Sequence, residues 1–101
     1  MKNNSNTFDK LIDCEIVCIK GYKANLCNKN LTNKSLENIE YNLKDIKIIL
    51  LNILHNLKNW NFKCYQLGEY NLNELIETCN LWICVCEKLI SICQIRKELN
   101  K

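Results

Sequence analysis

"SLENIEYNLKDIKIILLNILHNLKNW", residues 35–60, decides the fold class. Leu36, Ile39, Leu43, Ile46, Leu50, Ile53, Leu57 and Trp60 follow one another at alternating steps of three and four. That is an a/d seam over more than three heptads, and it predicts a long amphipathic helix near 33–60. Thr32 or Ser35 can cap its start, and Glu40 precedes Lys44 by four residues on what reads as the exposed face. Ile48, Leu51 and His55 add a second line that widens the apolar face in the C-terminal half. A face that wide needs two neighbours.

One neighbour reads from residues 71–99. Asn71 and Glu74 have the spacing of a capping box, and Gly68 just before them lets the chain turn. The seam is Ile76, Cys79, Ile83, Cys86, Ile90 and Cys93, so isoleucine and cysteine take turns along one line. Leu75, Trp82 and Leu89 flank it at intervals of seven. Cys84 falls instead beside Glu77, Asn80, Lys88 and Ser91, which makes it the accessible thiol of this helix.

The other neighbour is the N-terminal segment, 6–27. It carries Phe8, Leu11, Ile12, Cys14, Cys18 and Ile19 at helical spacing, and Tyr22 and Leu26 carry the periodicity past Gly21. "CNKNLTNK", 27–34, makes a turn. "NFKCYQLGEY", 61–70, is a connector that holds Cys64, with room for a short helical turn at 62–67. With no proline and two glycines, the chain lacks the turn residues that a sheet-rich fold of 101 residues needs. The expectation is an all-α, up-down-up bundle of three long helices, forming a single domain over residues 1–101.

Charge narrows the partners. The net charge of +3 is spread along the chain, and Arg96 is the only arginine. Neither a basic cluster nor basic–aromatic interleaving marks a nucleic-acid surface, so no nucleic-acid partner is expected. "IKIILLNIL" is interrupted by Lys47 and Asn52 and is too short to span a bilayer. The start "MKNNSNTFDKL" has no apolar signal region, so the expected compartment is the reducing cytoplasm, where eight cysteines read as thiols or ligands before they read as staples.

The thiols are the most distinctive feature. In an up-down-up bundle the first and third helices run parallel. At about 1.5 Å per residue, aligning Cys14 with Cys79 brings Cys27 level with Cys93. Residues four apart on a helix have Cβ atoms about 5 to 6 Å apart, whereas a disulfide needs roughly 3.5 to 4.5 Å. Cys14 and Cys18 therefore make a poor pair, while Cys14–Cys79 and Cys27–Cys93 are the level-matched candidates. Thiolates facing each other inside a bundle would also suit a soft ion such as Cu(I), and zinc less well. Plain packing is the third possibility, because free cysteine behaves as a small hydrophobe.

"LIDCEIVC" on the first helix and "CNLWICVCEKLISIC" on the last resemble helices of the cysteine-rich four-helix-bundle copper-storage family. The resemblance implies Cys14, Cys18, Cys79, Cys86 and Cys93 as core-facing Cu(I) ligands in a non-enzymatic storage or buffering protein. It also implies a reduced metal capacity, since the central helix carries no cysteine. The alternative is a helical interaction or assembly module with structural cysteines, acting as a homo-oligomer or with a protein partner through its apolar faces. No nucleophile–base pair argues for an enzyme: His55, the one histidine, has no cysteine near it in sequence and reads as a core or boundary residue.

Overall fold

The computed structural model describes residues 8–59 and 71–101. Three α-helices and no strand occur among them: α1 (Phe8–Asn25), α2 (Asn33–Lys58) and α3 (Leu72–Leu99). The all-α, up-down-up expectation holds. The connector turn expected at 62–67, together with Cys64 and Trp60, lies outside the described residues.

The starts of α2 and α3 follow their sequence signals. Thr32 caps α2, its Oγ1 accepting from the Ser35 amide at 3.1 Å. Asn71 and Glu74 form the full capping box on α3. The Glu74 amide donates to Asn71 Oδ1 at 2.8 Å, and the Asn71 amide donates to Glu74 Oε1 at 3.0 Å. Helix α1 continues through Gly21, where an added Cβ would meet nothing within 4 Å. The Leu26 amide still reaches the Tyr22 carbonyl at 2.9 Å before the chain turns.

The core lies mainly between α2 and α3. From α2 it takes Leu36, Ile39, Leu43, Ile46, Leu50, Ile53 and Leu57, which is the seam read from the sequence. From α3 it takes Leu75, Cys79, Ile83, Cys86, Leu89, Ile90 and Cys93. Helix α1 lies along this pair and fully buries only Ile12 and Ile19. Phe8, Ile16, Tyr22 and Leu26 pack more loosely around those two anchors.

A run of polar contacts fixes the α2–α3 register. Asn100 Nδ2 donates to Asn33 Oδ1 at 2.8 Å, Gln94 Nε2 donates to Glu40 Oε2 at 3.0 Å, and Lys47 Nζ meets Glu87 Oε2 at 3.0 Å. On α2 these contacts recur every seven residues. Sliding one helix past the other would break all three at once, the way polar positions set register in coiled coils.

Candidate functional site

The thiols define the candidate site, and the structure divides them into two groups. Cys79, Cys86 and Cys93 have no exposed surface. Cys14, Cys18, Cys27 and Cys84 are exposed, and all seven described cysteines are free. The inward placement of Cys79, Cys86 and Cys93, with Cys84 outward, matches the helix register read from the sequence.

The expectation that Cys14 and Cys18 face those thiols does not survive. Two lines of residues compete for the core on α1. One runs Leu11, Cys14, Cys18 and then reaches Gly21 and Asn25, where it has nothing to bury. The other runs Phe8, Ile12, Glu15, Ile19, Tyr22 and Leu26, with apolar groups at every step but one. The second line packs inward, which rotates Cys14 and Cys18 to the surface. Glu15 is the exception on the inner line, and burial pushes its carboxyl above the ordinary range. The level-matched pairs fail for the same reason: Cys14 and Cys27 are exposed while Cys79 and Cys93 are buried.

The three buried thiols cannot act together unaided. They are seven residues apart, so successive sulfurs sit about 10 Å from one another along the helix. Burial pushes Cys79 and Cys86 up to about 11 and raises Cys93 as well, so all three stay protonated at neutral pH. A neutral thiol is a poor nucleophile, and an ion binding there would have to displace its proton. Among the described residues, no three His, Cys, Asp or Glu side chains come together as a metal site.

The most charged part of the interior was not anticipated. Glu40, read from sequence as half of an exposed pair with Lys44, is buried. Lys97 Nζ lies 2.6 Å from its Oε1, and Lys44 Nζ lies 3.0 Å from its Oε2. The hydrogen bond from Lys97 dominates and holds the Glu40 carboxyl down at about 2, against the opposing cost of burial. The i,i+4 spacing correctly gave the Lys44 contact. What it concealed was Glu40's place between Leu36 and Leu43, next to the seam.

Arg96 is the second residue that sequence reading passed over. Its Nη1 donates to the Leu26 carbonyl and its Nη2 to the Asn28 carbonyl, both at 2.7 Å. The single arginine of the chain thus closes the end of α1 and the turn after it onto α3. Two other residues also stand differently from expectation or in more detail. His55 is exposed at the end of α2, near Asn59, and does not sit in the core. Trp82 is half-buried, with the Lys20 ammonium 5.9 Å from its ring centre.

Apolar surface remains on both long helices. The widening line on α2 is not covered: Ile48 is 56% exposed and Leu51 is 42% exposed. They border an open groove with Lys44, Lys47, Glu87 and Ile90. On α3, Leu81, Ile92, Ile95 and Leu99 are also exposed. No described helix is long and apolar enough to cross a membrane. The chain matches no protein-family model, no curated protein and no solved structure, so the likeness to copper-storage helices remains a resemblance.

Proposed function

We propose that this chain is a small, non-enzymatic helical assembly module whose buried cysteines are packing residues. One observation carries the reading: α2 and α3 keep large aliphatic side chains on faces that no described residue covers, while the buried thiols stand singly in an aliphatic core. Scattered exposed leucines are ordinary on a soluble protein. Here they recur at helical spacing on both long helices, which is how a bundle presents the seam that a further helix closes.

The test combines solution mass with thiol and copper analysis of the purified chain. The expected mass by sedimentation exceeds that of one chain at micromolar concentration, and a charge placed on one of the apolar faces, by Leu51→Glu or Ile95→Glu, restores the monomer. Cys14, Cys18, Cys27 and Cys84 should alkylate in the folded state, with Cys79, Cys86 and Cys93 reacting only on unfolding. A monomer insensitive to both charges would end this reading, and so would bound copper that disappears on Cys86→Ser.

A second reading keeps a narrower footing. Cys14 and Cys18 lie four apart on the exposed side of α1, close enough for two thiolates to share one soft ion such as Cu(I). Copper retained by the wild type and lost on Cys14→Ser or Cys18→Ser, but unaffected by Cys86→Ser, would select it.

A further inference from the structure

The line of α1 that lost the competition for the core is complementary to itself. Leu11, Cys14, Cys18 and Gly21 follow at steps of three, four and three, a spacing that is symmetric about residue 16. Leu11 is 45% exposed, and Cys14, Cys18 and Gly21 lie at the surface with it. A Cβ added at Gly21 would meet nothing within 4 Å, so the line ends in an open notch. Val17 projects beside the two thiols, 68% exposed. Along their own helix the thiols make a poor bond, since Cβ atoms four residues apart lie about 5 to 6 Å from each other. The inner-line cysteines of α3 are buried.

We infer that this face of α1 pairs antiparallel with the same face of a second copy of the chain, closed by two disulfides that join Cys14 of each copy to Cys18 of the other. Thiols, shape and charge agree on a second copy as the occupant. One twofold axis at residue 16 brings both thiol pairs together. The same axis lays each Leu11 on the second copy's Gly21, a large side chain into the notch. It also sets Asp13 within one residue of the level of the second copy's Lys20, and Lys20 of its Asp13, so two opposite-charge pairs flank the seam. Lys20 rests over the Trp82 ring at 5.9 Å and reaches the flank from there. Parallel pairing would oppose Asp13 to Asp13 and Lys20 to Lys20, and would leave a void where two glycines meet. Small side chains permit a helix separation of roughly 8 Å, which brings facing Cα atoms into the roughly 4.4–6.8 Å range of a disulfide.

The oxidant is a low-molecular-weight disulfide such as oxidised glutathione. The Cys14 thiolate attacks one of its sulfurs, expels one small thiolate and is left as a mixed disulfide. The second copy's Cys18 thiolate then attacks the Cys14 sulfur and expels the other. Each bond consumes one small disulfide and yields two small thiols, which carry away the two protein thiol protons. The inference uses no side chain of the α2 and α3 faces on which the assembly reading rests, so either can fail alone.

Oxidation with glutathione disulfide in a chelating, metal-free buffer tests it, read by non-reducing mass and peptide mapping. The background is the full chain with Cys27→Ser, Cys64→Ser and Cys84→Ser. The expected product is a covalent dimer whose linked peptides join Cys14 to Cys18. Cys14→Ser and Cys18→Ser should each abolish it, because the remaining like thiols stand about 6 Å apart along the axis. Mixing these two variants should restore a dimer with one bond. Gly21→Leu fills the notch where its own chain leaves open space, and should slow dimer formation by about tenfold with circular dichroism unchanged. Leu51→Glu and Ile95→Glu should leave the yield unaltered, and a yield that falls with them would overturn the α1 face. A dimer that survives either single serine, or linked peptides that join like cysteines, would overturn the antiparallel pairing. Glutathione adducts without a dimer throughout the micromolar range would overturn the inference itself.

Discussion

The α2–α3 pair and α1 are held by different means. Helix α2 buries nine residues and α3 buries seven, in facing lines that run most of their length. A polar contact every seven residues on α2 fixes how the two align. Helix α1 buries Ile12 and Ile19, seven residues apart, and leans on half-buried side chains between and beyond them. Its C-terminal end is held by the Arg96 side chain as well as by the partial packing of Tyr22 and Leu26. The difference teaches where stability lies: α2–α3 is a hairpin with its own interior, and α1 is an added strut. Its thiols are exposed for the same reason, because a helix that offers few groups to the core leaves the rest of its circumference to solvent.

The largest effect should come from the interior of the pair. Leu50→Ala should destabilise the whole chain by about 3–5 kcal/mol, through lost transfer energy and the cavity left behind. Urea unfolding would measure it. Ile19→Ala should act locally instead, with amide protection lost across α1 before any change in α2 or α3, as expected for a weaker cooperative unit. If both variants lowered global stability equally, the division between hairpin and strut would be broken.

Next in size is Glu40→Ala, which removes the acceptor of Lys97 and Gln94; because both can turn toward solvent, it should cost about 1–3 kcal/mol. The pH dependence gives the sign independently. The Glu40 carboxyl is held down at about 2 in the folded chain. Its contribution is therefore complete above the ordinary carboxylate range and is lost as pH falls from there toward 2. Denaturation midpoints measured down that range should decline in the wild type and flatten in Glu40→Gln. An unchanged acid limb in Glu40→Gln would remove the buried ion pair from the comparison.

Cys86→Ser should cost about 1–3 kcal/mol, because a hydroxyl without a partner replaces a thiol in an aliphatic site. The alkaline side carries its own check. Cys79 and Cys86 are pushed up to about 11, so the fold favours their neutral forms. That contribution is complete below the ordinary thiol range and is lost as pH rises from there toward 11. Cys79→Ala with Cys86→Ala should soften the alkaline decline in thermal midpoint.

The smallest expected change is Arg96→Ala, at about 1–2 kcal/mol for two hydrogen bonds near the surface. Its readout is again regional, with faster exchange in the last turn of α1 and no change at the α2–α3 seam. Arg96→Lys should rescue it only in part, since an ammonium lacks the fork that spans two carbonyls.

Much of this was legible in the sequence. The α2 seam and the Ile–Cys line of α3 each extend over several heptads without interruption, and length makes a periodic signal unambiguous. The caps at Thr32 and Asn71 were legible because a local hydrogen bond needs only local sequence. Cys14 and Cys18 were misplaced because α1 is short and two lines of three-and-four spacing compete on it. Only their continuation, into Gly21 on one side and Tyr22 on the other, separates them. Glu40 was misread because its decisive partners, Gln94 and Lys97, lie on another helix. The exposed apolar line on α3 requires knowing which face is already covered.

The Arg96 contact also has a consequence for the order in which the molecule is made. Its two acceptors lie 70 and 68 residues earlier in the chain. As the polypeptide leaves the ribosome, α1 emerges first, yet the side chain that ties its end down is synthesised near the close of α3. Closing so long a loop carries an entropic cost that the local α2–α3 hairpin does not bear. Until then α1 has only α2 to lie against, and its C-terminal end stays untied.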